Sequence, residues 1–427
     1  MRWHGRLKLR SLVGRFSLKL GSFKFAMRVS EATALLVCVV AIAATAASSP
    51  SGDIVAFVGT GGCDGMDKDC VEGPAGPERI IHSMVVGRNG SLQFRDEKIE
   101  TGSNPVWLTT LGHDLESGCL FATLANTSEI FVYSSKGKHF VPSGGVNPVF
   151  AAVTEDGKTL LVANYHGPDD AKTSDGASVA SFRIGSGCSL TLADRKNHSG
   201  SSIIPDRQGG AHVHSTVPVR RGIAYVCDLG TDEIYTYAVG ADSKLTEKAR
   251  TKVAAGLGPR HLVQHPSQPY IYVVNEMGRA VTVFEEHASG DGPLKLLQTN
   301  SLVHKDLGNG IGSKAAEIAI SPNGKFVFAT NRGSQNTITA FEIQADGTLS
   351  FKGYAQAPSY PRGMALVQDG KTLLVAGQTK TEVWSYNVGD DGSLTKTSEL
   401  ESDGAKLPPH PATFTTFQQY SPEAVLV

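Results

Sequence analysis

The stretch that decides the fold runs from residue 258 to 294, GPRHLVQHPSQPYIYVVNEMGRAVTVFEEHASGDGPL. It is written again at 315–349 as AAEIAISPNGKFVFATNRGSQNTITAFEIQADGTL, and at 360–394 as YPRGMALVQDGKTLLVAGQTKTEVWSYNVGDDGSL. Each copy has one grammar: a short apolar run, a polar turn, a Val/Phe-rich run ending in a polar residue, an alternating run such as Val281-Thr282-Val283-Phe284, and a Gly-x-Leu turn. The runs are of strand length and none sustains a helical period. Working outward, the same order of features runs through 104–133, 147–190 and 211–245, which makes six units. Pieces at 54–58 and 81–92, joined by 412–417 from the other end, supply the strands of one more. Repeats of this length and content predict an all-β chain, a seven-bladed β-propeller of four-stranded antiparallel blades. Its single domain covers 53–420, and strands from the two ends close the ring and remove its open edges.

The composition agrees with that punctuation. Among 427 residues there are 47 glycines, many in turn pairs such as Asn89-Gly90, Asp156-Gly157, Asn323-Gly324 and Asp369-Gly370. Such pairs are the signal of tight hairpins. The charge balance of 40 basic against 41 acidic residues conceals an asymmetry. The first 47 residues hold eight of the basic ones and a single acid, Glu31, so the remainder carries 32 basic against 40 acidic residues. A net-acidic body without a basic, aromatic stripe disfavours nucleic acid as a partner. Any anionic ligand must be held by a few placed arginines.

Residues 32–47, ATALLVCVVAIAATAA, form an uncharged run behind this basic lead. The run is short for a membrane-spanning helix, and Ala44-Thr45-Ala46 offers the small residues of a cleavage site. Residues 1–52 are therefore expected to be a leader with a signal or targeting segment, with Met27 as an alternative start. The mature domain is expected to have no membrane association of its own. This predicts the secretory pathway or the exterior, with an organelle or the cytoplasm as alternatives. Asn-x-Ser sequons at Asn89, Asn126 and Asn197 would then be glycosylation acceptors. Outside the leader five cysteines remain, without metal-ligand spacing. Cys63 and Cys70 flank an acidic loop and are a candidate disulfide in an oxidising compartment, with scattered thiols as the alternative.

In each unit the start of the first strand and the end of the second meet on one face of the disc, at a mouth of the central channel. The residues at these positions are His212 and His214, then Arg260 and Glu276, then Arg332, then Arg362 and Gln378. Arginines after proline also serve as loop caps, and a Glu beside an Arg is often a plain ion pair. Several arginines gathered at one mouth, however, call for an anionic partner. His212 and His214 on one strand would suit zinc, but no further ligand stands at a matching position, so neither a metal nor a cofactor is expected.

These motifs are recognisable. Ala211-His212-Val213-His214-Ser215, Asp228-Leu229-Gly230-Thr231-Asp232, Gly258-Pro259-Arg260-His261, Val273-Val274-Asn275-Glu276, Ser321-Pro322-Asn323-Gly324-Lys325 and Thr330-Asn331-Arg332-Gly333 stand in order. Together they resemble the seven-bladed propeller lactonases, which include bacterial-type 6-phosphogluconolactonases and carboxy-cis,cis-muconate cyclases. The resemblance covers nearly all of 54–417. It implies a lactone site in the channel mouth worked by His214, Arg260, Glu276 and Arg332, with His212 as a neighbour. The chain departs from the family at an insert over 165–178 and at the loop 59–79, both of which bear on substrate size.

Hydrolysing a lactone takes a water nucleophile, a base, and positive charge where the carbonyl oxygen becomes anionic. The expected assignment gives Glu276 and His214 to proton transfer, Arg260 to the oxyanion and Arg332 to the substrate's anionic tail, with the arginines interchangeable. No Gly-x-Ser-x-Gly elbow is present, which disfavours an acyl-enzyme. The expected reaction is opening of 6-phosphogluconolactone. The alternatives are a lactonising cycloisomerase and a non-catalytic propeller similar to the YVTN-repeat surface proteins.

Overall fold

In a computed structural model of the chain, the repeats become seven four-stranded antiparallel sheets, each in sequence order. The structure describes residues 16–20, 23–27, 53–60, 79–112, 114–166, 176–379, 382–401 and 411–416. The expected signal segment, the Cys63 and Cys70 loop and most of the 165–178 insert lie outside them. The chain divides into two units, Met1–Gly52 and Asp53–Val427. In the first, Phe16–Leu20 pairs with Phe23–Met27 as an antiparallel hairpin.

The second unit is the propeller. Blade 1 is formed by Ile54–Thr60, Ile80–Val86 and Leu92–Glu100, with Pro411–Thr416 as its innermost strand. Blade 2 spans Pro105–Leu111 to Gly137–Pro142, blade 3 Val146–Val153 to Leu190–Asn197, and blade 4 Val213–Val219 to Leu245–Lys252. Blade 5 spans Pro259–Gln264 to Lys295–Ser301, blade 6 Lys314–Ile320 to Leu349–Gln356, and blade 7 Pro361–Val367 to Leu394–Glu401. Each innermost strand packs against that of the next blade, and Pro411–Thr416 packs against blades 2 and 7, so the ring closes where the two ends meet. The seven-bladed, four-stranded architecture read from the repeats is borne out.

Seven apolar clusters hold the ring, one at each interface between blades. Between blades 6 and 7, for example, Phe328, Ile338, Leu373, Val375 and Tyr386 are buried together, and the Tyr386 hydroxyl donates to the Gln356 carbonyl at 2.8 Å. Cutting a fully buried ring such as Phe328 to Ala costs about 3–5 kcal/mol. Side-chain latches fix the blades' angular order. Asp232 of blade 4 accepts the Gly256 and Gly258 amides at 2.7 and 2.6 Å, just ahead of the strand that carries Arg260. Asn336 of blade 6 accepts the Gly333 and Tyr360 amides at 2.9 and 3.0 Å, just ahead of Arg362.

One covalent tie was not foreseen. Cys119, on the second strand of blade 2, forms a disulfide with Cys188 in blade 3, 69 residues away. Cys227 is a buried free thiol, pushed up to about 12 by burial, and is inert as a nucleophile.

Candidate active site

Two backbone features bring chemistry to the channel mouth. The first is a β-bulge at the start of each innermost strand, where one side of the ladder has an extra residue. In blade 4, Val213 pairs with Asp228 and Ser215 with Cys227, which leaves His214 unopposed. In blade 5 the same slip between Pro259 and His261 leaves Arg260, and in blade 7 the slip between Pro361 and Gly363 leaves Arg362. Blade 6 skips Ala316 and Glu317. The second feature is the end of each second strand, where Glu276 follows Asn275, Arg332 closes its strand, and Gln378 follows Gly377. The backbones cross-tie there, with the Glu276 amide on the Gly258 carbonyl at 2.8 Å and the Gln378 amide on the Tyr360 carbonyl at 3.0 Å.

Glu276 is the centre of the cluster. Its Oε2 accepts from Arg260 Nε at 3.1 Å and from Arg332 Nη2 at 2.9 Å, and its Oε1 accepts from Arg207 Nη2 at 2.6 Å. Arg260, Arg332 and Glu276 are almost wholly buried. Burial alone would raise the Glu276 carboxyl, but Arg207, Arg332 and Arg260 outweigh it and hold the group well below the usual carboxylate range. A carboxylate so placed is a poor proton acceptor and a strong organiser of guanidinium groups. Arg260 also donates from Nη1 to the Ala316 carbonyl at 2.6 Å, and Arg332 lies over the Tyr360 ring at 5.2 Å. Arg362 reaches Gln378 Oε1 at 3.5 Å.

His214 has the opposite character. Its Nδ1 is buried and makes no hydrogen bond within the protein. Burial, Arg260 and His261 keep the imidazole well below its ordinary pKa, against the opposing pull of Glu276. It is therefore neutral at physiological pH, with a polar atom awaiting a partner. His212 stacks on Tyr165 at 4.5 Å, its Nδ1 lies 3.2 Å from the Tyr165 carbonyl, and burial lowers its pKa as well. The backbone between the two histidines is set by Asp228. Its Oδ1 accepts the His212, Gly230 and Thr231 amides at 2.8, 3.1 and 3.1 Å, and its Oδ2 lies 2.9 Å from His198 Nδ1. Glycine is required at 230, because any Cβ there would run into the Gly210 carbonyl oxygen. Among the described residues no three His, Cys, Asp or Glu side chains are grouped as metal ligands.

All seven residues picked from the sequence thus lie at one mouth, and the structure adds four. Arg207 enters from the short helix Pro205–Gln208 in the connector between blades 3 and 4. Tyr165, at the end of a blade 3 strand, accepts from Arg207 through its hydroxyl at 3.3 Å. His261 places Nδ1 2.8 Å from Glu317 Oε1, and burial lowers it to about 4, so a neutral His261 donates to a carboxylate. His261 was legible as the neighbour of Arg260 in a motif, and Tyr165 as the residue that opens the insert. Nothing in the sequence marked Arg207 or Glu317. Four guanidinium groups therefore stand with three carboxylates, Glu276, Glu317 and Asp228, around neutral imidazoles, an excess of positive charge suited to an anionic ligand.

The model of a family described as "Lactonase, 7-bladed beta-propeller" matches residues 74–406. A 6-phosphogluconolactonase of Formosa agariphila is 32% identical over 251 residues, covering 56% of this chain and 66% of the relative. A 6-phosphogluconolactonase of an Enterobacter species is 34% identical over 182 residues, covering 42% of this chain and 54% of the relative. The chain thus matches less than two thirds of the length of either curated relative. The structure of a Pseudomonas aeruginosa periplasmic gluconolactonase shares the fold with a TM-score of 0.69 at 22% identity, over 85% of this chain and 99% of that one. The chain belongs to the seven-bladed β-propeller lactonase family.

Proposed function

We propose that the chain hydrolyses an anionic sugar-acid lactone, with 6-phosphogluconolactone the first candidate, and that His214 is its base. The observation that carries this reading is a neutral, buried imidazole with an unpartnered Nδ1 set among more arginines than carboxylates. His214 takes a proton from water as its oxygen bonds to the lactone carbonyl carbon. The resulting oxyanion is stabilised by Arg260 or Arg332. The ring C–O bond then breaks, and the leaving alkoxide takes the proton back from His214, which leaves a hydroxy acid. Glu276 is reassigned from proton transfer to holding the arginines, because three guanidinium groups already occupy its oxygens. The test is the proton balance on mixing the protein with 6-phosphogluconolactone, glucono-δ-lactone and a carboxymuconate, with release marking hydrolysis and uptake marking lactonisation. Hydrolysis of a lactone that His214→Ala loses is expected. Lactonisation of the muconate alone would instead select the cycloisomerase alternative, and no turnover of any of them would favour a binding propeller.

A second reading rests on the Cys119–Cys188 disulfide, which points to folding in an oxidising compartment, as the apolar leader does. The three sequon asparagines, Asn89, Asn126 and Asn197, are exposed. On that reading the chain is exported, and a non-phosphorylated acid lactone is the substrate. A fluorescent fusion with and without residues 1–47 tests it, since both forms remaining in the cytoplasm would overturn export.

A further inference from the structure

Arg207 differs from the other arginines of the site in origin and in exposure. It belongs to the connector Pro205–Gln208, not to a repeat strand, and the connector is pinned by buried Gln208, whose Nε2 donates to the Leu229 carbonyl at 2.9 Å. The Arg207 side chain is 21% exposed, against 3% for Arg260 and 4% for Arg332. Its Nη2 serves Glu276 and Tyr165, yet its Nε is buried and makes no hydrogen bond within the protein. Arg260, by contrast, has already given its Nε to Glu276 and an Nη to a carbonyl. Arg207 therefore stands at the rim of the cluster with a donor still to spend, and its pKa is raised by Glu276, so its charge is permanent.

We propose that Arg207 is the specificity-determining residue of the site. Through its guanidinium it binds the distal anionic group of the substrate, a phosphate or a carboxylate, and so selects charged-tail over neutral-tail sugar acids. The proposal rests on the lactone reading for the identity of the ligand. It separates Arg207 from Arg260 and Arg332, whose side chains are almost wholly buried against Glu276. An anion at this guanidinium meets a full charge beside an N–H that makes no hydrogen bond within the protein, a combination that favours oxyanions over hydroxyl groups.

The test is calorimetric binding of 6-phosphogluconate, glucarate and gluconate to the full chain and to Arg207→Gln and Arg207→Lys. The wild type is expected to bind at least one charged-tail acid about tenfold tighter than gluconate. Arg207→Gln should abolish that preference by weakening the charged-tail acid about tenfold more than gluconate, and Arg207→Lys should restore part of it. The tighter of the two charged acids identifies the tail as phosphate or carboxylate. A preference retained in Arg207→Gln, an equal loss for all three acids, or no preference in the wild type would each overturn the proposal. An equal loss would mean that Arg207 acts only by holding Glu276. If the wild type hydrolyses no lactone yet shows the preference and its loss in Arg207→Gln, the hydrolase reading fails while this assignment stands.

Discussion

Two arcs of the ring use one backbone device to different ends. In blades 2 and 3 the bulged residues are Val106 and Val149, and in blades 4, 5 and 7 they are His214, Arg260 and Arg362. The apolar arc continues as a wall in which Trp107 stacks on Phe150 at 4.2 Å, and both rings meet His261 edge-on at 5.1 Å. The polar arc carries the guanidinium groups. The bulge is thus a property of the fold, repeated around the ring, whereas chemistry is decided by which side chain occupies it.

The comparison can be broken most forcefully from the polar side. Glu276→Gln and Arg332→Ala are each expected to lower kcat/KM for lactone hydrolysis by about a thousandfold while circular dichroism stays native. Retained activity in both would mean that the arginine cluster is only structural. On the apolar side, replacing both Cys119 and Cys188 by serine should cost roughly 3 kcal/mol of stability in urea titration, because the disulfide closes a long loop, and should leave kcat/KM unchanged. A large loss of activity there would show that the arcs are not independent. Acid should act on the folded state through the buried imidazoles. Both His261, lowered to about 4, and His214 stay neutral in the folded protein while the unfolded chain takes up protons below its ordinary histidine pKa. Stability is therefore expected to decline as pH falls from about 6.5 towards 4, read as a falling urea midpoint. A midpoint that is flat over that range would contradict their neutrality. The smallest effect is expected from Val149→Ala, no more than about threefold on kcat/KM, because only apolar contact is removed.

The architecture was legible because its signals are local. Turn pairs such as Asn323-Gly324 and the alternating run Val281-Thr282-Val283-Phe284 each specify a piece of hairpin, and repetition supplied the rest. The seven site residues were legible because strand direction alone puts His214, Arg260, Glu276 and Arg332 at one mouth. Their division of labour was not. Glu276 reads as a base in the sequence, and only the convergence of three arginines on its two oxygens shows its proton to be so disfavoured. Arg207 escaped because it sits in a connector, outside the repeated strands that the sequence pattern marks. The Cys119–Cys188 pair escaped because partners 69 residues apart become neighbours only once blades 2 and 3 are packed. The bulges escaped because a one-residue slip of register leaves no mark on an apolar pattern.

The most direct test of the central claim, that His214 is a neutral base among arginines, is the pH dependence of kcat/KM for lactone hydrolysis in the wild type and in His214→Ala. A base held well below its ordinary pKa keeps its lone pair as pH falls through 6.5. The account therefore predicts an acid limb well below pH 6.5 that disappears with the bulk of the activity in the variant. An acid limb at 6.5 or above, or a limb unchanged in His214→Ala, would contradict it.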